Sequence, residues 1–222
     1  MARRPGKRRA DPAAYRTRLK SARESFTGLI AGADRRAMER AVADFLRAAG
    51  VDLADPNLRE TPARVASAWL DEFLDGYRTT PDEILGERYP VDPSGDASMV
   101  VVTHLEYQSV CPHHLLPYRG RAHLAYVPDR AVVGFGRLSA LLDCIGHRLI
   151  LQEDLAREVA RSLARVLGSP ATACILEAEM TCLRLRGERQ HQARTHCEAY
   201  EGALRRDGPL RRELWARIGA GR

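Results

Sequence analysis

The sequence predicts an α+β fold, an antiparallel sheet backed by helices and preceded by an N-terminal helical segment. Three observations carry this. Apolar residues recur at helical spacing before residue 75 and again over 138–167. Between and after those stretches the pattern turns β-branched or alternating, over 99–107, 121–133 and 172–186. The elements also come in blocks (helices, strands, helices, strands), not in the strict strand–helix alternation of a parallel sheet.

Taken in order, residues 1–21 read as a disordered basic tail. Residues 22–98 read as the helical segment with its connecting loop. Met38, Val42, Phe45 and Leu46 stripe one helix over 34–49, closed by Gly50. Thr61-Pro62 starts another, with a hydroxyl cap and a proline in the first turn, followed by Val65, Ala68, Leu70, Phe73 and Leu74. Residues 78–98, rich in Pro, Gly and Asp, read as loop.

The main domain is expected over 99–206. Met99–Tyr107 and Arg121–Val127 read as strands. A turn at Pro128-Asp129-Arg130 is expected to return the second onto Ala131–Val133. Leu138, Leu141, Leu142, Ile145 and Leu149 stripe one helix. Leu155, Val159, Leu163 and Leu167 stripe the next, ended by Gly168. Thr172–Arg186 reads as one long strand and 194–200 as a last. Residues 207–222 form an amphipathic C-terminal extension.

Composition narrows the function classes. The 222 residues are 45% hydrophobic, enough for one domain with a core. No apolar run approaches a membrane span, and the basic N-terminus lacks an apolar region behind it, so it does not read as a secretory signal. Five cysteines without a paired framework fit a reduced, cytoplasmic setting. The net charge of +6 belongs to the tail: residues 1–20 carry eight Lys/Arg and one acid, or +7, leaving −1 for the rest. Without aromatic residues interleaved among those charges, nucleic acid is not the expected partner.

The chemistry concentrates in Cys111-Pro112-His113-His114, answered by Cys182. Two thiolates and an imidazole suit zinc, and three protein ligands leave the fourth position that a catalytic site keeps open. Unrelated cysteines beside a surface histidine pair are the alternative that spacing alone leaves open.

Residues 99–129 (MVVVTHLEYQSVCPHHLLPYRGRAHLAYVPD), 132–155 and 175–187 resemble the GTP cyclohydrolase I family, as does Asp55–Trp69. The resemblance covers roughly residues 34–206. It implies a tunnelling fold (T-fold), a homodecamer of two stacked pentamers with active sites between subunits, and a reaction with water at C8 of the guanine of GTP. That reaction gives dihydroneopterin triphosphate and formate, or stops earlier at a hydrated or ring-opened formamidopyrimidine; the pterin so formed would serve tetrahydrofolate biosynthesis. Cys111, His114 and Cys182 match the zinc ligands, and His113 matches a proton carrier. Glu153 matches the carboxylate that accepts the guanine N1–H and 2-amino protons, with Gln152 beside it. Arg137 and Arg186 match phosphate contacts.

Four positions depart from the family pattern. Met180 stands where a second catalytic histidine is usual. Pro112 replaces a glutamate, Gly136 a serine, and Ala140 a phosphate-binding arginine. His191 and His196, close after Arg186, are candidates to replace the lost proton carrier. Ala140 points to a guanine nucleotide with fewer phosphates as an alternative substrate. The four departures together leave a non-catalytic, structural or regulatory zinc-binding relative as the alternative class.

Overall fold

The structure is a computed structural model that describes residues 32–92, 98–187, 189–206 and 208–220. The tail read over 1–21 lies outside them.

Helix α1 (Arg35–Ala48) begins where Asp34 accepts from the Ala37 amide, and it packs against α2 (Thr61–Ala68). Arg35 pins the two together, donating to Ser67 at 2.7 Å and forking onto Asp71. Helix α2 runs on through a π-helical turn (Trp69–Phe73) and a 3-10 turn (Asp75–Arg78). The stretch expected to be loop then forms a short helix α3 (Pro81–Ile84), started by a capping box between Thr80 and Glu83, and a two-residue strand β1 (Tyr89–Pro90).

Strands β2 (Val100–Cys111) and β3 (Leu116–Tyr126) form a long hairpin. Strand β4 (Ala131–Val132) corrects the expected pairing: it lies antiparallel to β1, while β3 pairs instead with β2 and β5. Helix α4 (Phe135–Gly146) follows. It stops short of Leu149, which is 40% exposed and bridges to Val110. Helix α5 (Gln152–Leu167) ends at Gly168 in the left-handed conformation that glycine adopts without strain.

Strand β5 (Ala171–Glu179) is shorter than the long strand expected; the chain leaves the sheet at Met180 and turns into a short helix α6 (Thr181–Arg184). Strand β6 (Thr195–Gly202) and helix α7 (Gly208–Gly219) complete the chain. The main sheet is antiparallel in the order β2-β3-β5-β6.

One face of that sheet carries α4 and α5. Between them lies the larger core, with Leu138, Leu141, Leu142, Leu155, Val159 and Leu163 set against Leu124, Tyr126 and Leu176. The opposite face holds a smaller core under α7, where Leu204, Leu214 and Ile218 cover Met99, Ala125 and Ile175. This arrangement, an antiparallel sheet backed by helices, is the α+β architecture the periodicities predict; α7 adds a helix on the second face. It leaves the Cys111 end of the β2–β3 hairpin beside the start of α5.

Candidate metal centre and base pocket

Cys111 is the last residue of β2 and is buried. The next four residues reverse the chain within one turn. Leu115 takes a left-handed backbone and donates its amide to the Cys111 carbonyl at 2.8 Å. This folds His114 back so that its Nδ1 lies 3.6 Å from the Cys111 Sγ. Cys182 arrives from the other side on α6, not on a strand. Thr181 donates to the Pro117 carbonyl at 2.5 Å and holds that helix against β3.

The ligand atoms of Cys111, His114 and Cys182 all lie within 4.8 Å of one another. A tetrahedral zinc ion with bonds of about 2.0–2.3 Å spaces its ligands roughly 3.3–3.8 Å apart; the donor set fits the ion in type, the 3.6 Å between Cys111 and His114 falls in that range, and the trio as a whole lies within 4.8 Å. Burial and the adjacent Cys111 thiol push the Cys182 thiol above its usual pKa. Two thiols packed this way resist ionising together unless a cation joins them.

His113 and His114 are both exposed, their rings 6.3 Å apart. Arg186 reaches the site too, with Nη1 2.8 Å from the His114 Nε2.

The first turn of α5 carries Glu153 and Asp154, where the helix dipole favours acids. Glu153 is exposed. Gln152, beside it, is 4% exposed and engaged by the protein itself. Its amide nitrogen donates to the Tyr107 hydroxyl at 3.2 Å, and its oxygen accepts from Thr195 at 2.6 Å. The start of α5 is thereby tied to β2 and to β6. Tyr107 lies flat over Gly120, its partner in register; a Cβ there would meet the Tyr107 ring at 2.6 Å and the Glu177 carbonyl oxygen. Thr195 carried no signal at sequence level; its role comes from the β5–β6 pairing that sets it beside Ala178.

Beneath Glu153 lie Tyr118 and Cys197. Burial pushes the Tyr118 phenol up to about 12; the nearby Ser109 hydroxyl opposes the shift, and the Cys111 and Cys197 thiols and the Glu153 carboxylate add to it. Burial and Glu153 likewise push Cys197 up to about 11. Met180 packs against the larger core.

Not every expected site residue gathers here. Arg137 stands in the first turn of α4 and pairs with Glu87 at 2.6 Å. Only the far end of α4 approaches the site, where a Cβ on Gly146 would come 2.9 Å from the Gln108 carbonyl. The nine residue steps from Arg137 to Gly146 span about 13 Å of helix. His196 lies 3.9 Å from Glu177 on the sheet face opposite Cys197, which turns it away from the pocket of its own chain. His191 is exposed, in a loop that folds back so that the Gln190 amide donates to the Leu183 carbonyl.

Residues 38–219 match the family model described as GTP cyclohydrolase I, a match that takes in α7. The GTP cyclohydrolase 1 of Chromobacterium violaceum is 39% identical over 181 residues, covering 82% of this chain and 86% of its own. That of Leifsonia xyli is 38% identical over 192 residues, 86% of this chain and 99% of its own. Among solved structures, the archaeosine synthase QueF-Like in the apo form covers 49% of this chain and 97% of that chain at 18% identity, with a TM-score of 0.41.

Proposed function

The chain belongs to the GTP cyclohydrolase I family and is a hydrolase acting on GTP, and from that premise we propose that it opens the guanine imidazole ring at C8, in a pocket between the Cys111–His114–Cys182 trio and Glu153. The observation that carries this reading is the convergence of those three ligand atoms within 4.8 Å beside the first turn of α5.

Cys111, His114 and Cys182 would hold a zinc ion, which when bound would supply Lewis acidity toward a water next to C8. The remaining work belongs to the chain's own residues. Glu153 accepts the N1–H and 2-amino protons of the base, a donor pair that adenine lacks. Gln152, braced by Tyr107 and Thr195, holds Glu153 at a fixed height over the sheet. His113, free at the rim, moves the protons that water addition and ring opening require. Water adds to C8, the C8–N9 bond breaks, N9 takes a proton, and the formyl carbon stays on N7. A second water then releases formate. Arg186 meets phosphate from the same chain.

Arg137 serves a nucleotide bound at a neighbouring subunit, in the homodecamer that the family resemblance implies. Its place on α4 far from the trio supports this, as do the edges of β2 and β6, which pair with no other strand among the described residues. Among the described residues no helix is long and apolar enough to cross a membrane. All five cysteines are free thiols, which supports a reducing cytoplasmic setting.

A second reading of the product is favoured by Met180, whose thioether transfers no proton. With one carrier missing, turnover halts at the ring-opened formamidopyrimidine. Incubation of zinc-loaded protein with GTP, followed by mass spectrometry and a formate assay, decides between the two. Formate with dihydroneopterin triphosphate supports complete reaction; GTP plus one water without formate supports arrest. GTP left intact while GDP or GMP is consumed places the same chemistry on a shorter nucleotide, as Ala140 suggests.

A further inference from the structure

Ser109 and Tyr118 face each other directly across the β2–β3 pair, on the sheet face that also carries Tyr107 and Cys111. Both are buried, at 2% and 4% exposure. Beyond their approach to each other, which eases the Tyr118 phenol, neither hydroxyl has a hydrogen-bond partner among the described residues. This sets Tyr118 apart from the other buried tyrosines described. Tyr77 accepts from the Leu149 amide, Tyr107 from Gln152, and Tyr126 from the Val133 amide. A buried hydroxyl without a partner has lost its water and gained nothing in exchange, and such groups persist chiefly where a ligand completes them.

The location of the pair says which ligand. Ser109 lies one step along the strand face from Cys111, and Tyr118 is within electrostatic reach of Cys111, Cys197 and Glu153. The two hydroxyls therefore lie near both the trio that addresses C8 and the carboxylate that takes the N1–H and 2-amino edge. The purine atoms lying between those two points and able to accept are N7, O6 and N3.

We propose that Tyr118 Oη and Ser109 Oγ form a polar floor of the pocket, with Tyr118 donating to an acceptor atom of the purine and Ser109 supporting it. The assignment rests on the reading of the trio and Glu153 as the two ends of the base site. It adds two specificity-determining residues from a strand pair that otherwise reads as core.

The test compares Tyr118→Phe and Ser109→Ala with the unaltered, zinc-loaded, full-length protein, by thermal melting without nucleotide and by steady-state kinetics on GTP. For Tyr118→Phe the melting temperature is expected to hold or rise, because an unpaired buried hydroxyl is removed, while kcat/KM for GTP falls about tenfold, the worth of one hydrogen bond. Ser109→Ala is expected to move both quantities the same way by about threefold in kcat/KM, and it carries the test if Tyr118→Phe does not fold. A lower melting temperature with unchanged kcat/KM overturns the proposal, since that is the signature of a structural hydroxyl; so does no change in either quantity. An unaltered protein that neither binds nor turns over GTP overturns the functional reading, and this assignment with it, whereas normal turnover with indifferent variants overturns the assignment alone.

Discussion

Arg186 donates to the Nε2 of His114 at 2.8 Å, while the other ring nitrogen of His114 faces the Cys111 sulfur at 3.6 Å. Whichever nitrogen a metal takes, Arg186 must leave. Coordination through Nε2 uses the lone pair that the guanidinium occupies, and coordination through Nδ1 puts the ring proton on Nε2, donor against donor. Arg186→Ala is therefore expected to bind zinc about three- to tenfold more tightly, the worth of the displaced hydrogen bond. Competition against a chromophoric chelator measures this, and weaker binding by the variant contradicts the exclusion.

Zinc uptake is also expected to follow pH. The Cys182 thiol is held above its usual range by burial and by Cys111, so both thiol protons leave when the metal enters. Apparent zinc affinity should rise with pH between about 6 and 8, by up to roughly a hundredfold per unit for two protons released. Chelator-stripped protein should retain its sheet by circular dichroism and lose GTP hydrolysis. An affinity that is flat with pH would mean that the thiols are not the ligands.

Glu153 is exposed at the head of α5, so Glu153→Gln should leave the melting temperature within a degree or two. The lost charge-assisted pair to the base is worth roughly a hundredfold in kcat/KM for GTP. Kinetics on GTP and ITP, which lacks the 2-amino group, separate the two bonds. Equal loss on both substrates points to the N1–H, and a larger loss on GTP to the amino group.

Met180→His should raise formate release if arrest follows from the missing proton carrier, by as much as 10²–10⁴-fold. Because Met180 packs on the larger core, the same change should lower stability by about 1 kcal/mol. A destabilised variant with the product distribution of the parent would show that position 180 does not govern the later steps.

Acid should loosen the contact between α3 and α5. Arg165 forks onto Asp82 at 2.5 and 2.7 Å and holds that carboxyl below the usual aspartate range. A carboxyl depressed in the folded state stabilises above its unfolded pKa, and that stability is lost as pH falls through the lower folded value. Asp82→Asn should flatten the stability slope below about pH 4. The pair is largely exposed, which limits the effect to at most about 1 kcal/mol. Urea titrations at pH 3, 4 and 7 measure it.

Much of this was legible from residue order alone. The stripes Leu138–Ile145 and Leu155–Leu167 announce the two core helices because a helix must turn one face to the sheet. The short spacing from Cys111 to His114 survives folding because a hairpin turn keeps it local. What stayed hidden depends on long-range contact. Residues 180–184 continue a strand-like alternation, yet Thr181 bonds to Pro117, 64 residues away, and the strand ends. The pairing of β4 with β1 rests on two residues each, too few for any period. Tyr118 reads as an ordinary core aromatic until its hydroxyl is found with nothing but Ser109 beside it to bond.

Gly120 draws these threads to one atom. The sheet tolerates no side chain there because the Glu177 backbone carbonyl and, next, the Tyr107 ring occupy the space, and Tyr107 steadies Gln152 at the head of α5. A methyl group added in the middle of the strand would press on β5 through the Glu177 carbonyl and tilt that ring, slackening the amide and letting Glu153 drift. An inherited lesion of this kind would be classed as a folding defect from its position, while its first symptom would be an enzyme less able to tell guanine from adenine.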